Sequence, residues 1–292
     1  MWIGKFLEYL KVEKRYSSLT VLAYENDLEQ FSEFLEQEDL TKVNSRDVRS
    51  YLSSLVSLGL AESTINRKLS SIKSFYKFLL ELEEINKLPT IGIRNLKSNP
   101  TIFIPFSQDE MLALVDLYNI IDNDFEALRD QLIVELLYTT GMRRAELLGL
   151  KWEDIDVSNS ELKVLGKGGK QRLVPISQSI MLSISHYKEI VIEKFDSLPE
   201  KLFITSKGKN LYPKLVYNIV KSYLSLVSVK KKKSPHMLRH SFATHMLNNG
   251  AEINAIKDLL GHSSLASTQI YTHSDISELK KIFKHNHPRN LK

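Results

Sequence analysis

The sequence predicts a mainly α-helical chain with a small β-sheet, divided into two domains. Three observations predict it. At 292 residues the chain exceeds one small core and fits two domains of about 100 to 200 residues each. Apolar residues recur at three- and four-residue spacing through most of its length, the period of an amphipathic helix. One stretch, ELKVLGKGGKQRLVPI, alternates instead like a pair of strands.

The first domain is expected over residues 1–94. In SSLTVLAYENDLEQFSEFLEQ, Leu22, Leu28, Phe31, Phe34 and Leu35 suggest one helical face, with Ser18 or Thr20 as N-cap. SRDVRSYLSSLVSLGL repeats the pattern, and AESTINRKLSSIKSFYKFLLELEEI carries Ile65, Leu69, Ile72, Phe75, Tyr76 and Leu79 on one side. Then NLKSNPTIFIP has Pro100 and Pro105 and no helical period, which predicts a linker over 95–105, because proline removes a donor and restrains its predecessor.

The second domain is expected over 106–292. Ser107 and Glu110 have capping-box spacing ahead of an apolar run. A long buried helix follows, stopping at Gly141, then a short helix bearing Arg143 and Glu146. GKGG reads as the turn of a hairpin. The tail SDISELKKIFKHNHPRNLK spaces Ile276, Leu279, Ile282 and Phe283 as a terminal amphipathic helix.

Composition excludes several classes. With no cysteine there is neither a disulfide framework nor thiolate chemistry, which fits a reducing cytosol. No secretory signal and no uncharged apolar run of about 18 residues is present, so a soluble, cytoplasmic chain without membrane insertion is expected. The formal net charge of +5 is mild, but Lys230, Lys231, Lys232 and Lys233 form a run that can neutralise phosphates as readily as it can line a solvated loop.

Each polar candidate is ordinary alone. Arg143 enters a helix where the dipole is already positive, so an anion should compensate, and Glu146 at i+3 can hold it. Lys167, between Gly166 and Gly168, sits where a hairpin can deliver it to a phosphate or leaving oxygen. His236 and Arg239 share a helical face just after Pro235, where free backbone amides favour a phosphate. His236 and His240 at i and i+4 could also chelate a metal, but no carboxylate ligand is near and Arg239 would repel the ion. Tyr271, between His262 and His273 in LLGHSSLASTQIYTH, reads by itself as a core aromatic.

Together they form a set. Arginines, a lysine, histidines and a tyrosine, with no carboxylate pair for two metals and no nucleotide-binding loop, suit phosphoryl transfer at a phosphodiester without metal or other cofactor. Arginines can bind the phosphate oxygens bidentately while a tyrosine attacks and lysine or histidine moves protons.

With these residues in view, the chain resembles the tyrosine site-specific recombinases, the phage integrase family, and most of all their Xer type. The likeness runs through LTVLAYENDLEQFSEFL, TGMRRAELLGL, GKGGKQRLVPI, HMLRHSFATHML, LLGHSSLASTQIYTH and HNHPR. It implies an N-terminal helical, SAM-like core-binding domain and a C-terminal catalytic domain that clamp DNA, with the terminal helix exchanged between subunits. It further implies Arg143 and Arg239 as the catalytic arginines, Lys167 as general acid toward the 5′ oxygen, His236 and His262 as phosphate-site histidines, and Tyr271 as nucleophile, Glu146 supporting Arg143. Arg144 departs from the small or aliphatic residue usual after that arginine, and reads as a phosphate contact or a surface residue; His240 is expected to support structure.

The partners implied are a double-stranded DNA core site, a homo- or hetero-tetramer with a second recombinase, and a septal DNA translocase. The expected reaction passes through a 3′-phosphotyrosyl bond and a Holliday junction, and would resolve chromosome dimers at cell division. A type IB topoisomerase, a mobile-element integrase and a non-catalytic DNA-binding protein are the alternatives.

Overall fold

The computed structural model describes residues 2–37, 39–97, 104–118, 124–166 and 169–261, and falls into two units, Met1–Ile102 and Phe103–Lys292. The first unit is helical: α1 (Trp2–Val12), α2 (Ser18–Leu35), α3 (Ser45–Ser57) and α4 (Glu62–Glu81), with a 3-10 turn at Leu40–Lys42. The stripe expected on α4 is its core face, for Ile65, Leu69, Ile72, Phe75, Tyr76 and Leu79 are all buried against Phe6, Leu28 and Phe31.

On α2 the expectation needs correcting. Leu22 and Phe34 are exposed, and the inward set is Val21, Asp27, Leu28 and Phe31. Val21, Leu28 and Phe31 follow the 3.6-residue period, whereas Leu22 lies about 100° around the helix from Val21. The N-cap is Ser17, not Ser18 or Thr20: its backbone is extended, and its side chain accepts from the Thr20 amide at 3.3 Å.

Asp27 is a carboxylate in an apolar core, 1% exposed. It accepts from the Ser71 hydroxyl at 2.8 Å and the Lys68 ammonium at 3.2 Å, and pairs with Arg67, all on α4. Lys68 is itself buried and also donates to Gln30. Farther along, Asn66 clamps the Leu96 backbone, accepting its N–H at 2.8 Å and donating to its carbonyl at 3.0 Å. The start of the proline-bearing stretch is thereby fixed to α4.

The second unit contains α5 (Gln108–Tyr118), α6 (Phe125–Thr140), α7 (Arg144–Gly149), β1 (Ile155–Asp156), β2 (Glu161–Leu165), β3 (Gln171–Pro175), α8 (Gln178–Phe195), α9 (Pro213–Val227), α10 (Pro235–Asn248) and α11 (Ile253–Leu260). Ser107 and Glu110 make both bonds of the capping box ahead of α5. The strands form one antiparallel sheet in the order β1-β2-β3, with Val164 opposite Arg172, so the expected hairpin is present.

Helix α6 is buried from Leu132 to Thr140 and packs against α8, α9 and α10, the pattern of a central helix. It ends at Gly141, in the left-handed region at φ 59°, where a Cβ would come within 2.5 Å of Phe242 and 2.7 Å of Leu260. Only glycine meets both conditions.

Helix α10 grips the unit's first residues with one face. The Ser241 hydroxyl accepts from the Phe106 amide at 2.8 Å, and His245 Nε2 lies 2.8 Å from the Phe106 carbonyl. A carbonyl only accepts, so Nε2 carries the proton and Nδ1 accepts from the Tyr138 hydroxyl at 2.9 Å. Burial pushes the His245 pKa down, which keeps this bridge neutral. Among the described residues no helix is long and apolar enough to cross a membrane. The expected tail helix of Ile276, Leu279, Ile282 and Phe283 lies outside the described residues.

Asp27→Ala should destabilise the chain by about 3–5 kcal/mol, because the buried Lys68 is left without its carboxylate. Urea unfolding followed by circular dichroism measures it, and a loss below about 1 kcal/mol would show that Lys68 reaches water without cost.

Candidate active site

Arg143 is the N-cap residue of α7, with extended backbone. Glu146, in the first turn, accepts from the Arg143 amide on Oε2 and from its guanidinium on Oε1, both at 2.8 Å. The carboxylate thus caps the helix and offsets the cation at its positive end. Glu146 is buried while 40% of the Arg143 side chain stays exposed, so the guanidinium is held from behind and presented outward.

Arg239 enters from α10 and is 7% exposed. It donates to the Gly141 carbonyl at 2.7 Å and to the Leu260 carbonyl at 2.7 Å. Arg143 reaches the same Leu260 carbonyl at 3.4 Å and the Gly261 carbonyl at 3.1 Å. The arginines of α7 and α10 therefore meet at the C-terminal end of α11, where helix carbonyls lack intrahelical donors and the dipole is negative.

A third arginine is there that sequence reasoning did not single out. Arg172 of β3 is 6% exposed, donating from Nη2 to Glu146 Oε2 at 2.7 Å and from Nε to the Leu259 carbonyl at 2.8 Å. Its signal was register: period two puts Arg172 on the same inward face as Val174, an unusual place for a cation.

Two guanidiniums thus hold one carboxylate, and the third, Arg239, lies close enough to feel its charge. Burial works to raise the Glu146 pKa, but the hydrogen bond from Arg172 and those from Arg143 outweigh it and hold the group below its ordinary 4.5. Burial pushes Arg239 down to about 10, with Arg143 and Arg172 adding to the shift and Glu146 opposing it. With its pKa at about 10, Arg239 still keeps its charge at neutral pH, and three guanidiniums stand against one carboxylate. An anion belongs here.

His236 is the second residue of α10, after Ser234 as N-cap and Pro235, and is exposed. His240 is exposed as well; the histidine of α10 that supports structure is His245. Arg144 is exposed and donates to the Pro213 carbonyl at the start of α9. In the lysine run, Lys230 pairs with Glu110 and lies over the Phe106 ring, Lys233 donates to Ser225, and Lys231 and Lys232 are exposed. Lys167, His262 and Tyr271 lie outside the described residues; Lys167 falls between β2 and β3 in sequence, and His262 directly follows Gly261.

Two buried arginines beside a partly exposed one, sharing a single carboxylate, form a site suited to an anion such as a phosphate. Residues 106–278 match the phage integrase family, and residues 3–82 match the N-terminal SAM-like domain of phage integrases. The chain is 38% identical to the tyrosine recombinase XerC of Chlorobaculum tepidum over 99% of its own length and 94% of that protein. It is 33% identical to the tyrosine recombinase XerD of Staphylococcus epidermidis, covering 98% of each. In fold it is similar to the XerH site-specific recombinase bound to a palindromic difH substrate, with TM-score 0.74, 22% identity, and 97% of this chain and 94% of that one covered. The chain belongs to the phage integrase family, the tyrosine recombinases.

Because its folded pKa is depressed, Glu146 contributes stability that is complete above pH 4.5 and is lost as the pH falls through the lowered folded value. Glu146→Gln should therefore lie about 3 kcal/mol below wild type at neutral pH and converge on it in acid. Urea titrations across pH 3 to 7 check this, and a gap independent of pH would contradict the assignment.

Proposed function

We propose that this chain is a site-specific recombinase of the Xer type, which cuts and rejoins duplex DNA through a 3′-phosphotyrosyl intermediate and a Holliday junction and resolves chromosome dimers at cell division. One observation carries the reading. Arg143 and Arg239, from different helices, converge on the Leu260 carbonyl one residue before the Gly261 to His262 step. Two cations already aimed at one spot and resting on neutral carbonyls supply the charge that a phosphodiester needs, without reorganisation at the moment of reaction.

In this reading Arg143 and Arg239 bind the non-bridging oxygens and stabilise the charge that develops as the phosphorus becomes pentacoordinate. His236 and His262 complete the phosphate site. The Tyr271 oxygen attacks and gives up its proton to a histidine of the site, the bond from phosphorus to the 5′ oxygen breaks, and Lys167 gives that oxygen a proton. The phosphotyrosine conserves bond energy, so the 5′ hydroxyl of a partner strand reverses the step without ATP. Glu146 supports Arg143. The exposed Lys231 and Lys232, with Lys233 and Arg144, are suited to phosphates flanking the scissile one, and Lys230 anchors their loop through Glu110.

The protein would work in the cytoplasm on a double-stranded core site. It would act as part of a tetramer made of this chain or of this chain and a second recombinase, under a septal DNA translocase.

Tyr271→Phe removes one oxygen and keeps the ring, so it should bind duplex as wild type does and form no covalent adduct on a nicked suicide substrate. Lys167→Ala should bind normally, cleave about 100-fold more slowly, and recover on a substrate whose 5′-bridging oxygen is sulfur, a better leaving group. Adduct formation by Tyr271→Phe, or no recovery with sulfur, would overturn the corresponding role.

A further inference from the structure

We propose that Arg172 is a positioning residue for the recombination chemistry, tying the hairpin, the first arginine and the end of α11 to one another. The inference rests on the function proposed above and adds to it a residue that contacts no reacting atom.

The geometry is specific. Glu146 Oε2 takes both the Arg172 guanidinium and the Arg143 amide, leaving Oε1 for the Arg143 guanidinium. Without Arg172 the carboxylate loses one of its three donors among the described residues, the one that does not come from Arg143, and the oxygen that aims Arg143 turns more freely. The second arm of Arg172 holds the Leu259 carbonyl. The side chain also runs close to Gly261, where an added Cβ would be 3.3 Å from Nη1 and 3.5 Å from Cζ. Leu260 and Gly261 are the carbonyls on which Arg143 and Arg239 rest, so one side chain sets the platform for both.

A third element is referenced to the same pair. A Cβ on Gly166 would sit 3.7 Å from Glu146 Oε1 and 3.8 Å from Arg172 Nη1, so the residue before Lys167 runs beside this pair. Stability alone gives a poor reason for this arrangement. Arg172 faces inward beside Val164 and Val174, where an apolar side chain of similar volume would remove the cost of burying a charge. What the arginine adds is directed donors toward α7 and α11 at once, from a strand that also leads back to Lys167.

The test uses the full-length chain with Arg172→Gln, Arg172→Lys and the double variant Arg172→Gln/Glu146→Gln. Duplex binding, thermal melting and single-turnover adduct formation are measured on a nicked suicide substrate, with either a phosphodiester or a methylphosphonate at the scissile position. Binding should stay within about threefold while adduct formation by Arg172→Gln falls about 100-fold on the phosphodiester, the scale of losing an aligned transition-state donor. On the methylphosphonate, which lacks the charge that Arg143 neutralises, the loss should shrink to about tenfold or less. Arg172→Lys, with a charge but no fork, should recover part of the rate, and the double variant should be no slower than the worse single one, because both act through one carboxylate. Wild-type rates in Arg172→Gln would overturn the inference alone. So would losses that track melting temperature, are equal on both substrates and add in the double variant. A wild-type chain that binds but forms no adduct would instead sink the proposed function.

Discussion

The candidate site depends on a single carboxylate. Among the described residues Glu146 is the acidic group that pairs with both Arg143 and Arg172, and it also caps the helix from which Arg143 projects. Three guanidiniums brought together in a protein interior repel one another by on the order of a few kcal/mol per pair, so the cluster must be offset. The offset comes from Glu146 and from the carbonyls of Leu259, Leu260 and Gly261 at the negative end of α11. One carboxylate faces three guanidiniums, and Arg239, its pKa pushed down mainly by burial, also feels Arg143 and Arg172 lowering it further against Glu146. In the proposed function, that residual charge is the physical basis for binding a phosphodiester.

The rest of the second unit can be understood as scaffolding for that arrangement. Central α6 ends where Gly141 turns left-handed, and the Gly141 carbonyl then receives Arg239. Helix α10 carries Arg239 about 200° around from Ser241, and the Ser241 and His245 side holds Phe106 at the start of the unit. Strand β3 turns Arg172 inward with Val174. Elements far apart in sequence are registered by buried, charge-assisted hydrogen bonds, which are directional in a way that apolar packing is not.

Much of this was legible in the sequence wherever the signal is local. The α4 stripe, the Ser107 and Glu110 capping box, the hairpin and the pairing of Arg143 with Glu146 are all set by neighbours within a few residues. The failures share a cause. Asp27 is buried because its partners arrive from α4 some 40 to 44 positions later, and Arg172 because Glu146 and Leu259 stand 26 and 87 positions away. No local period announces such contacts, and on α2 the apolar pattern found Leu28 and Phe31 but also took in Leu22 and Phe34, which are exposed, and passed over Val21 and the polar Asp27. In sequence Lys230 is one of four consecutive lysines, whereas Glu110, 120 positions earlier, sets it apart from Lys231 and Lys232.

The central claim is that the arginines are arranged in advance for a phosphodiester and that Glu146 and Arg172 hold them there. A crystal structure of the Tyr271→Phe chain on its duplex core site, identified by selection from random duplexes, tests this most directly. The account predicts that Arg143 and Arg239 exchange α11 carbonyls for the non-bridging oxygens of one phosphate, while Arg172 keeps its bonds to Glu146 and the Leu259 carbonyl. A scissile phosphate bound away from Arg143 and Arg239, or an Arg172 that has left Glu146 to contact the DNA, would contradict it.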